Sequence, residues 1–143
     1  MIYFGIDPGK SGAVAAIWDD GVPVSQCQSL DATEQDIANY FLQFDLTRCA
    51  AVIERVNSMP KNGHRQAFIF GQSYGFMRGL LAALKIPFTD DPPKRWQKVM
   101  DCMTGGNKNV SKQKAQQLWP TLKITHRNAD ALLIAEYART KGK

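Results

Sequence analysis

Residues 2–18 have the sequence IYFGIDPGKSGAVAAIW, in which two short apolar runs flank a polar turn. This pattern predicts two strands of a hairpin. Asp7 ends the first run, so we expect its carboxylate at the end of a buried strand, where Gly9 and Gly12 let a bulky anion approach the backbone. An Asp-Pro-Gly turn is also common without a ligand, because the aspartate can accept backbone hydrogen bonds. The hairpin therefore offers one candidate ligand that needs partners from elsewhere in the chain.

Outside the hairpin, short apolar runs alternate with segments of helical periodicity. Further strands are predicted at residues 22–27, 50–54 and 86–88, and loops at 57–65 and 104–110. Helices are predicted from near Ala32 with Asp31 as the capping signal, over residues 66–84, from Pro92 to Met100, and over residues 111–119 and 128–137. This order predicts one α/β domain over residues 1–143, with a mixed five-stranded sheet and helices on both faces. It resembles the ribonuclease H-like fold.

Glu54 closes the continuous apolar run of residues 50–54, AAVIE. Leaving an ionised glutamate buried and unpaired costs several kcal/mol, so its side chain is expected to reach water, a cation or a metal. An ion pair with Arg55 or Arg65 is the alternative. Since the first and fourth strands are often neighbours in such sheets, Glu54 is expected near Asp7.

A third acid, Asp130, begins an apolar helix, and His126 precedes it by four residues. Both face one side if the helix starts early enough. The alternatives are a partner of the helix dipole for Asp130, and a surface or capping role for His126. Carboxylates from two strand ends and a helix start form an oxygen-rich site, which Mg²⁺ and Mn²⁺ prefer. Two such ions can activate water and stabilise the leaving oxygen in phosphodiester hydrolysis.

The charge balance favours a polyanionic partner, because 18 Lys and Arg against 13 Asp and Glu give a net charge of +5. Lys108, Lys112 and Lys114 could form a phosphate-contacting strip, with a solvated helix face as the alternative. Trp96 and Trp119 are interpreted as anchors of short helices to the core rather than as stacking platforms.

Cellular location is predicted from cysteine usage and hydropathy. The three cysteines have no zinc-type spacing and suit a reducing compartment. All apolar runs are short, so neither a signal peptide nor a membrane-spanning helix is expected. These features predict a cytoplasmic protein without membrane association.

The chain resembles the RuvC family of Holliday-junction resolvases, especially its compact phage branch. The resemblance rests on the order and spacing of several short motifs: IDPG at residues 6–9, VIE at 52–54, FGQSYG at 70–75, PKRWQK at 93–98, Lys112, and ADAL at 129–132. It implies a homodimer that cuts two symmetric strands of a four-way DNA junction with Mg²⁺ or Mn²⁺.

The resemblance also implies roles for individual residues. Asp7, Glu54 and Asp130 match the metal-binding carboxylates, and Lys112 matches a lysine beside the scissile phosphate. The family usually has a further acid or histidine one turn before the last carboxylate. Here the candidates are His126 and Arg127, of which we assign His126 as metal ligand or water-orienting base. Some bacterial members place an aromatic residue three positions beyond the second acid, where this chain has Asn57.

Other functions share parts of this pattern. The Asp-x-Gly-x-x-Gly turn also occurs in actin-like ATPases and sugar kinases, but those need two such domains and further phosphate loops. A ribonuclease H-like RNA-processing nuclease would use the same three acids. A protein that binds junctions without cutting them is the third alternative. The expected dimer would use a small-residue helix face made of Gly71, Ser73, Gly75 and Gly79.

Overall fold

The computed structural model describes residues 1–24, 26–55 and 63–141. The strands in this part of the chain are β1 (Ile2–Asp7), β2 (Ala13–Trp18), β3 (Gln28–Ser29), β4 (Cys49–Glu54) and β5 (Phe88–Asp91). The α-helices are α1 (Glu34–Leu42), α2 (His64–Ala83), α3 (Pro93–Val99), α4 (Lys108–Leu118) and α5 (His126–Lys141), and a 3₁₀ turn spans Leu46–Arg48. No helix of the described ranges combines the length and the apolarity that a membrane crossing needs.

The strands form one mixed sheet in the order β3-β2-β1-β4-β5. β1 is antiparallel to β2 and parallel to β4, and β4 is parallel to β5. The carboxyl ends of β1, β4 and β5 therefore meet at one edge, which brings the terminal acids Asp7, Glu54 and Asp91 to the same side of the sheet. This arrangement confirms the predicted mixed five-stranded sheet.

Both faces of the sheet are covered by helices, as predicted, because the inner strands are apolar on both sides. On one face Phe4 and Ile6 pack with residues of α1 and α2 such as Phe41 and Met77. On the other face Val52 and its neighbours pack with α3, α4 and α5, and these residues include Trp96, Ala115 and Leu132.

Gly5 sets how closely α5 lies against β1. A Cβ atom at this position would stand 2.1 Å from both the carbonyl oxygen of Ala131 and the amide nitrogen of Ala135. Only glycine lets the helix backbone rest on the strand this closely. The contact places Asp130, the neighbour of Ala131, near the carboxyl end of β1.

Two predicted strands were wrong in position. The strand expected at residues 22–27 is replaced by the two-residue β3, because Pro23 lacks an amide donor and makes only an isolated bridge with Ile17. The strand expected at residues 86–88 begins at Phe88 and continues into Thr89, Asp90 and Asp91. The polar sequence of this segment does not predict a strand, although its last residue, Asp91, is buried.

Four helices begin at other residues than predicted. α1 starts after Thr33, whose Oγ1 accepts a hydrogen bond from the amide of Asp36 at 3.1 Å, so Thr33 is the N-cap and Asp31 is not. His64 and Arg65 begin α2 instead of ending a loop, Gly63 is the N-cap of that helix, and residues 57–62 of the predicted loop lie outside the described residues. α4 and α5 begin earlier than predicted, at Lys108 and His126. Asn107 caps α4 by accepting from the amide of Asn109 at 3.0 Å.

Candidate active site

A cleft of about 970 Å³ opens at the carboxyl ends of β1 and β4. The four predicted metal-site residues, Asp7, Glu54, His126 and Asp130, all line it. Cationic side chains line the same cleft: Lys10, Arg55, Lys108 and Arg127. The topology thus brings together acids that lie 47 and 76 residues apart in sequence.

The turn that follows Asp7 has a conformation that requires glycine, and residues of α2 contact it. Gly9 has φ +111°, and its amide donates to Ser73 Oγ at 3.0 Å. A Cβ at Gly9 would stand 2.8 Å from a ring carbon of Phe70, and one at Gly12 would stand 1.8 Å from the carbonyl oxygen of Asp7. Both positions therefore require glycine, and α2 fixes the position of the turn that carries Asp7.

Glu54 has a neutral hydrogen-bond donor beside it. The indole nitrogen of Trp96 donates to Glu54 Oε2 at 2.7 Å, so the predicted core anchor also contacts the site. Burial, with a smaller contribution from the negative charge of Asp130, raises the pKa of Glu54 to about 7, against the lowering effects of the Trp96 hydrogen bond and Lys108. The ion pair with Arg55 or Arg65 that we considered is absent from the ion pairs between described residues.

The pKa values of Asp7 and Asp130 are also raised, chiefly by burial. Burial, followed by the charges of Glu54 and Asp130, raises the pKa of Asp7 well above its usual range, and Lys108 lowers it. Burial also raises the pKa of Asp130, against the lowering effects of Ser111, Lys108 and His126. Asp130 Oδ1 is buried and has no hydrogen-bond partner among the described residues.

The chemistry of these carboxylate oxygen donors fits a divalent cation. The site has three carboxylates with raised pKa values and one buried oxygen without a hydrogen-bond partner among the described residues. A bound divalent cation would stabilise the ionised form of such carboxylates. The side chains do not form a ready ligand set, because no three His, Cys, Asp or Glu of residues 1–24, 26–55 and 63–141 are arranged to hold a metal ion. Binding would thus require the side chains to move closer together.

His126 meets the geometric condition set by the sequence. It is the first residue of α5, is exposed, and precedes Asp130 by about one helical turn. Thr125 and Asn128 make the capping contacts: Asn128 Oδ1 accepts from the amide of Thr125 at 2.8 Å, and Thr125 Oγ1 accepts from that of Asn128 at 3.2 Å. The histidine is therefore not the cap of α5.

Arg127, the second candidate for this position, has a different role. Its Nη1 donates to the carbonyl oxygen of Lys10 at 3.1 Å and to Ser29 Oγ at 2.8 Å. These bonds tie the start of α5 to the β1–β2 turn and to β3. Arg127 thus fixes the Asp130 helix relative to the Asp7 turn, a role that the sequence did not reveal.

The three predicted DNA-contacting lysines of α4 occupy different surroundings. Lys108 lines the cleft and lowers the pKa of Asp7, Glu54 and Asp130. Lys112 follows about one turn later and is partly buried, but is not among the described residues that line the cleft. Lys114 is likewise not among the described residues that line the cleft, and its charge acts on the Cys102 thiol, whose pKa burial and Asp130 raise to about 11 and Lys114 lowers.

Comparison with known proteins supports the fold. No family model and no curated protein matches the chain. T. thermophilus RuvC in complex with a Holliday junction substrate matches it with a TM-score of 0.66 and 14% identity, over 96% of this chain and 92% of that one. A further Thermus thermophilus RuvC structure matches with a TM-score of 0.61 and 16% identity, over 99% and 97% of the two chains. The likeness spans nearly the whole of each chain, and the protein therefore has the ribonuclease H-like fold of RuvC.

Proposed function

We propose that this protein is a metal-dependent endonuclease that cuts branched DNA, chiefly four-way (Holliday) junctions. The observation that carries the proposal is the convergence of Asp7, Glu54 and Asp130, with raised pKa values, on a cleft that cationic side chains also line. Acids alone would repel a phosphodiester, so acids beside cations fit a site that accepts both a divalent ion and nucleic acid. The shared fold with RuvC, one structure of which holds a Holliday junction substrate, supports the same assignment.

Asp7, Glu54 and Asp130 would hold Mg²⁺, for which Mn²⁺ can substitute, and His126 would complete the site. Divalent ions held here would lower the pKa of bound water and offset negative charge on the phosphodiester. His126 orients the attacking water and accepts its proton. The water oxygen would form a bond to phosphorus while the bond from phosphorus to the 3′ oxygen breaks, and the leaving 3′ oxygen would take up a proton from solvent, which gives a 3′ hydroxyl and a 5′ phosphate. Lys108, which lines the cleft, would balance the charge on the phosphate, and the resemblance to RuvC implies the same role for Lys112.

DNA binding beyond the scissile phosphate would rest on backbone contacts. Lys10, Arg55 and Arg127 line the cleft from three different parts of the chain. Cations distributed in this way fix the register of a DNA backbone without reading bases. Lys108, Lys112 and Lys114 extend the same surface along α4 as the proposed phosphate-contacting strip. With a net charge of +5, binding should weaken as salt increases.

We also propose that the protein acts as a homodimer through the exposed face of α2. A Cβ at Gly71, Gly75 or Gly79 would meet no described atom of the chain within 4 Å, and Phe68 on the same helix is 70% exposed. Ser73 does not belong to this face, because it accepts a hydrogen bond from Gly9. A two-fold mate could pack closely on such a face. Sedimentation should show a dimer, and a monomer at all concentrations, free and with junction DNA, would contradict this.

The function is tested by offering labelled four-way, three-way, flap and linear DNA, together with structured RNA, in Mg²⁺, Mn²⁺ or EDTA. We expect paired symmetric cuts in the four-way junction with either metal, and none with EDTA. Preferential cutting of RNA would favour an RNA-processing nuclease of the same fold. Tight junction binding without any cut would favour a binding protein.

A further inference from the structure

The buried indole of Trp96 contacts the proposed metal site from the core. Trp96 is the largest of the fully buried side chains, with no exposed surface. It lies on α3 and belongs to the core that also contains Ala131, Leu132 and Ala135 of α5. Packing on that side fixes the ring, because a close-packed interior leaves it little freedom to tilt.

The only polar atom of this ring is directed at a candidate ligand. Its N–H donates to Glu54 Oε2 at 2.7 Å, across 42 residues of sequence. A length of 2.7 Å is typical of a hydrogen bond to a charged acceptor. Within the described part of the chain, Glu54 Oε1 accepts no hydrogen bond, so one oxygen of the carboxylate is held by the indole and the other is left for a ligand.

Comparison with Trp119 indicates that the Trp96–Glu54 hydrogen bond does more than give a buried indole N–H an acceptor. Trp119 donates its indole N–H to the backbone carbonyl of Gly21 at 3.1 Å, away from the cleft. A backbone acceptor satisfies a buried indole fully. Trp96 instead donates to a side chain that lines the cleft.

We propose that Trp96 is a positioning residue, whose indole N–H fixes Glu54 Oε2 and thereby directs the carboxylate at a divalent cation in the cleft. This inference rests on the proposed function, because it requires Glu54 to be a metal ligand. The hydrogen bond also opposes the effect of burial on Glu54 and favours the ionised form that binds a cation.

The test removes the donor while it keeps the shape of the ring. Trp96→3-benzothienylalanine replaces the indole N–H with sulfur, and Trp119→3-benzothienylalanine is the matched control. Mn²⁺ binding to the full chain is measured without DNA, by titration calorimetry. We expect the Trp96 variant to bind Mn²⁺ roughly 10- to 100-fold more weakly, as is usual when a hydrogen bond to a metal ligand is lost, and the Trp119 variant to bind like the parent.

A second measurement uses the parent chain and does not depend on the folding of any Trp96 variant. The indole N–H signal of Trp96 is assigned by elimination with Trp18→Phe and Trp119→Phe, and is followed by NMR during a Mg²⁺ titration. We expect it to move upfield as the carboxylate shares its charge with the cation, while the Trp119 signal stays in place. An indole whose acceptor does not bind the cation would keep its signal in place.

The outcomes separate this inference from the proposed function. Loss of Mn²⁺ binding in Glu54→Gln, with parent-like binding in the Trp96 variant, would overturn the role of Trp96 and leave the metal site intact. A Trp96 signal that does not move while Mg²⁺ binds would also overturn it. Parent-like Mn²⁺ binding in Glu54→Gln would remove Glu54 from the metal site, and the positioning role with it.

Discussion

Glu54 and Asp91 lie opposite each other at the ends of neighbouring parallel strands, yet their surroundings differ in charge. Asp91 is 1% exposed and accepts hydrogen bonds from Arg95 at 2.8 Å and Lys141 at 2.7 Å. Burial raises its pKa, but these two cations outweigh burial and hold the pKa below the usual range. Glu54 contacts a neutral indole instead, and burial raises its pKa to about 7.

The difference separates an acid that holds the fold together from one that is available to a ligand. The ion pairs of Asp91 join β5 to α3 and α5, so its charge is balanced within the chain. The charges of Asp7, Glu54 and Asp130 oppose one another, and no ion pair between described residues balances them. Such an arrangement costs stability unless a cation binds.

The largest expected effect is on cleavage. Asp7→Asn, Glu54→Gln and Asp130→Asn should each lower the rate of junction cutting by roughly 1000-fold or more, because a neutral amide is a poor ligand for Mg²⁺ and the lost stabilisation amounts to several kcal/mol. Junction binding should survive, since less negative charge faces the phosphates. Single-turnover cleavage and gel-shift assays measure both quantities.

Asp91→Asn is the control for these three variants, because it removes an acid that is even more deeply buried and lies at the same sheet edge. It should keep most of the cleavage activity when assayed well below its melting temperature. An Asp91 variant as inactive as Glu54→Gln would end the distinction between the two acids. Near-normal turnover in any of the three variants would remove that residue from the site.

The next effect is on the stability of the metal-free protein. Because the pKa of Glu54 is about 7 in the folded state and 4.5 ordinarily, the unfolded chain loses this proton first as pH rises. Stability is therefore full below about pH 4.5 and is lost as pH rises through 7, by roughly 3 kcal/mol for Glu54 alone. The pKa of Asp91 is lowered in the folded chain, so its contribution to the free energy of unfolding is lost only as the pH falls through that lowered pKa.

Urea unfolding of the metal-free chain at pH 5 and pH 8 measures this effect. We expect lower stability at pH 8, a flatter profile in Glu54→Gln, and recovery of stability at pH 8 when Mg²⁺ is added. A chain that is equally stable at both pH values would show that the cleft acids are balanced by groups other than a cation.

His126→Ala should lower cleavage by about 100-fold, within the range for loss of a group that orients or deprotonates water. His126→Asp should recover part of the activity, because a carboxylate can also ligate the cation. The other histidine of the chain, His64, is the matched control, since it too is exposed and begins a helix. If His126→Ala cuts junctions as fast as His64→Ala, the histidine does not belong to the site.

The sequence predicts those parts of the molecule that a local pattern determines. β1, β2 and β4 are found to within one residue because each is a continuous apolar run, and the two acids that end β1 and β4 are evident for the same reason. β5 is displaced because its polar residues are satisfied by distant partners. Asp91, for example, is paired with Lys141, which lies 50 residues away.

The same limit applies to the site. Trp96 and Arg127 owe their roles to contacts across 42 to 117 residues, which no spacing rule contains. One signal was available for Trp96, because a buried indole N–H needs an acceptor, and Glu54 was an acid without an assigned partner. The sequence pattern predicts a loop at Lys108, because it does not identify Asn107 as a helix cap.

Asp91→Asn should reduce the free energy of unfolding by about 2 kcal/mol. The loss is smaller than for a fully buried pair, because the side chains of Arg95 and Lys141 are 60% and 37% exposed and can reach water. Asp31→Asn, at an exposed position, should change stability little. Denaturant unfolding at pH 7 measures both variants, and equal stabilities would show that Asp91 does not hold β5, α3 and α5 together.

The smallest effect concerns the lysine that partly balances the cleft acids. Lys108 lines the cleft and lowers the pKa of all three, so we expect it to contact a phosphate that binds beside them. Lys108→Ala should weaken junction binding a few-fold and reduce the slope of log affinity against log salt by about 0.9, the value for one phosphate contact.

Lys112→Ala should act similarly if it reaches the same strand. Lys114→Ala is the sharper comparison, because Lys114 lies on α4 like Lys108 but is not among the described residues that line the cleft, so its loss should reduce the slope less. Fluorescence anisotropy at several salt concentrations measures these slopes. An unchanged slope in Lys108→Ala would mean that this lysine balances the acids without contacting DNA, whereas equal losses for Lys108 and Lys114 would extend the phosphate contact along the whole of α4.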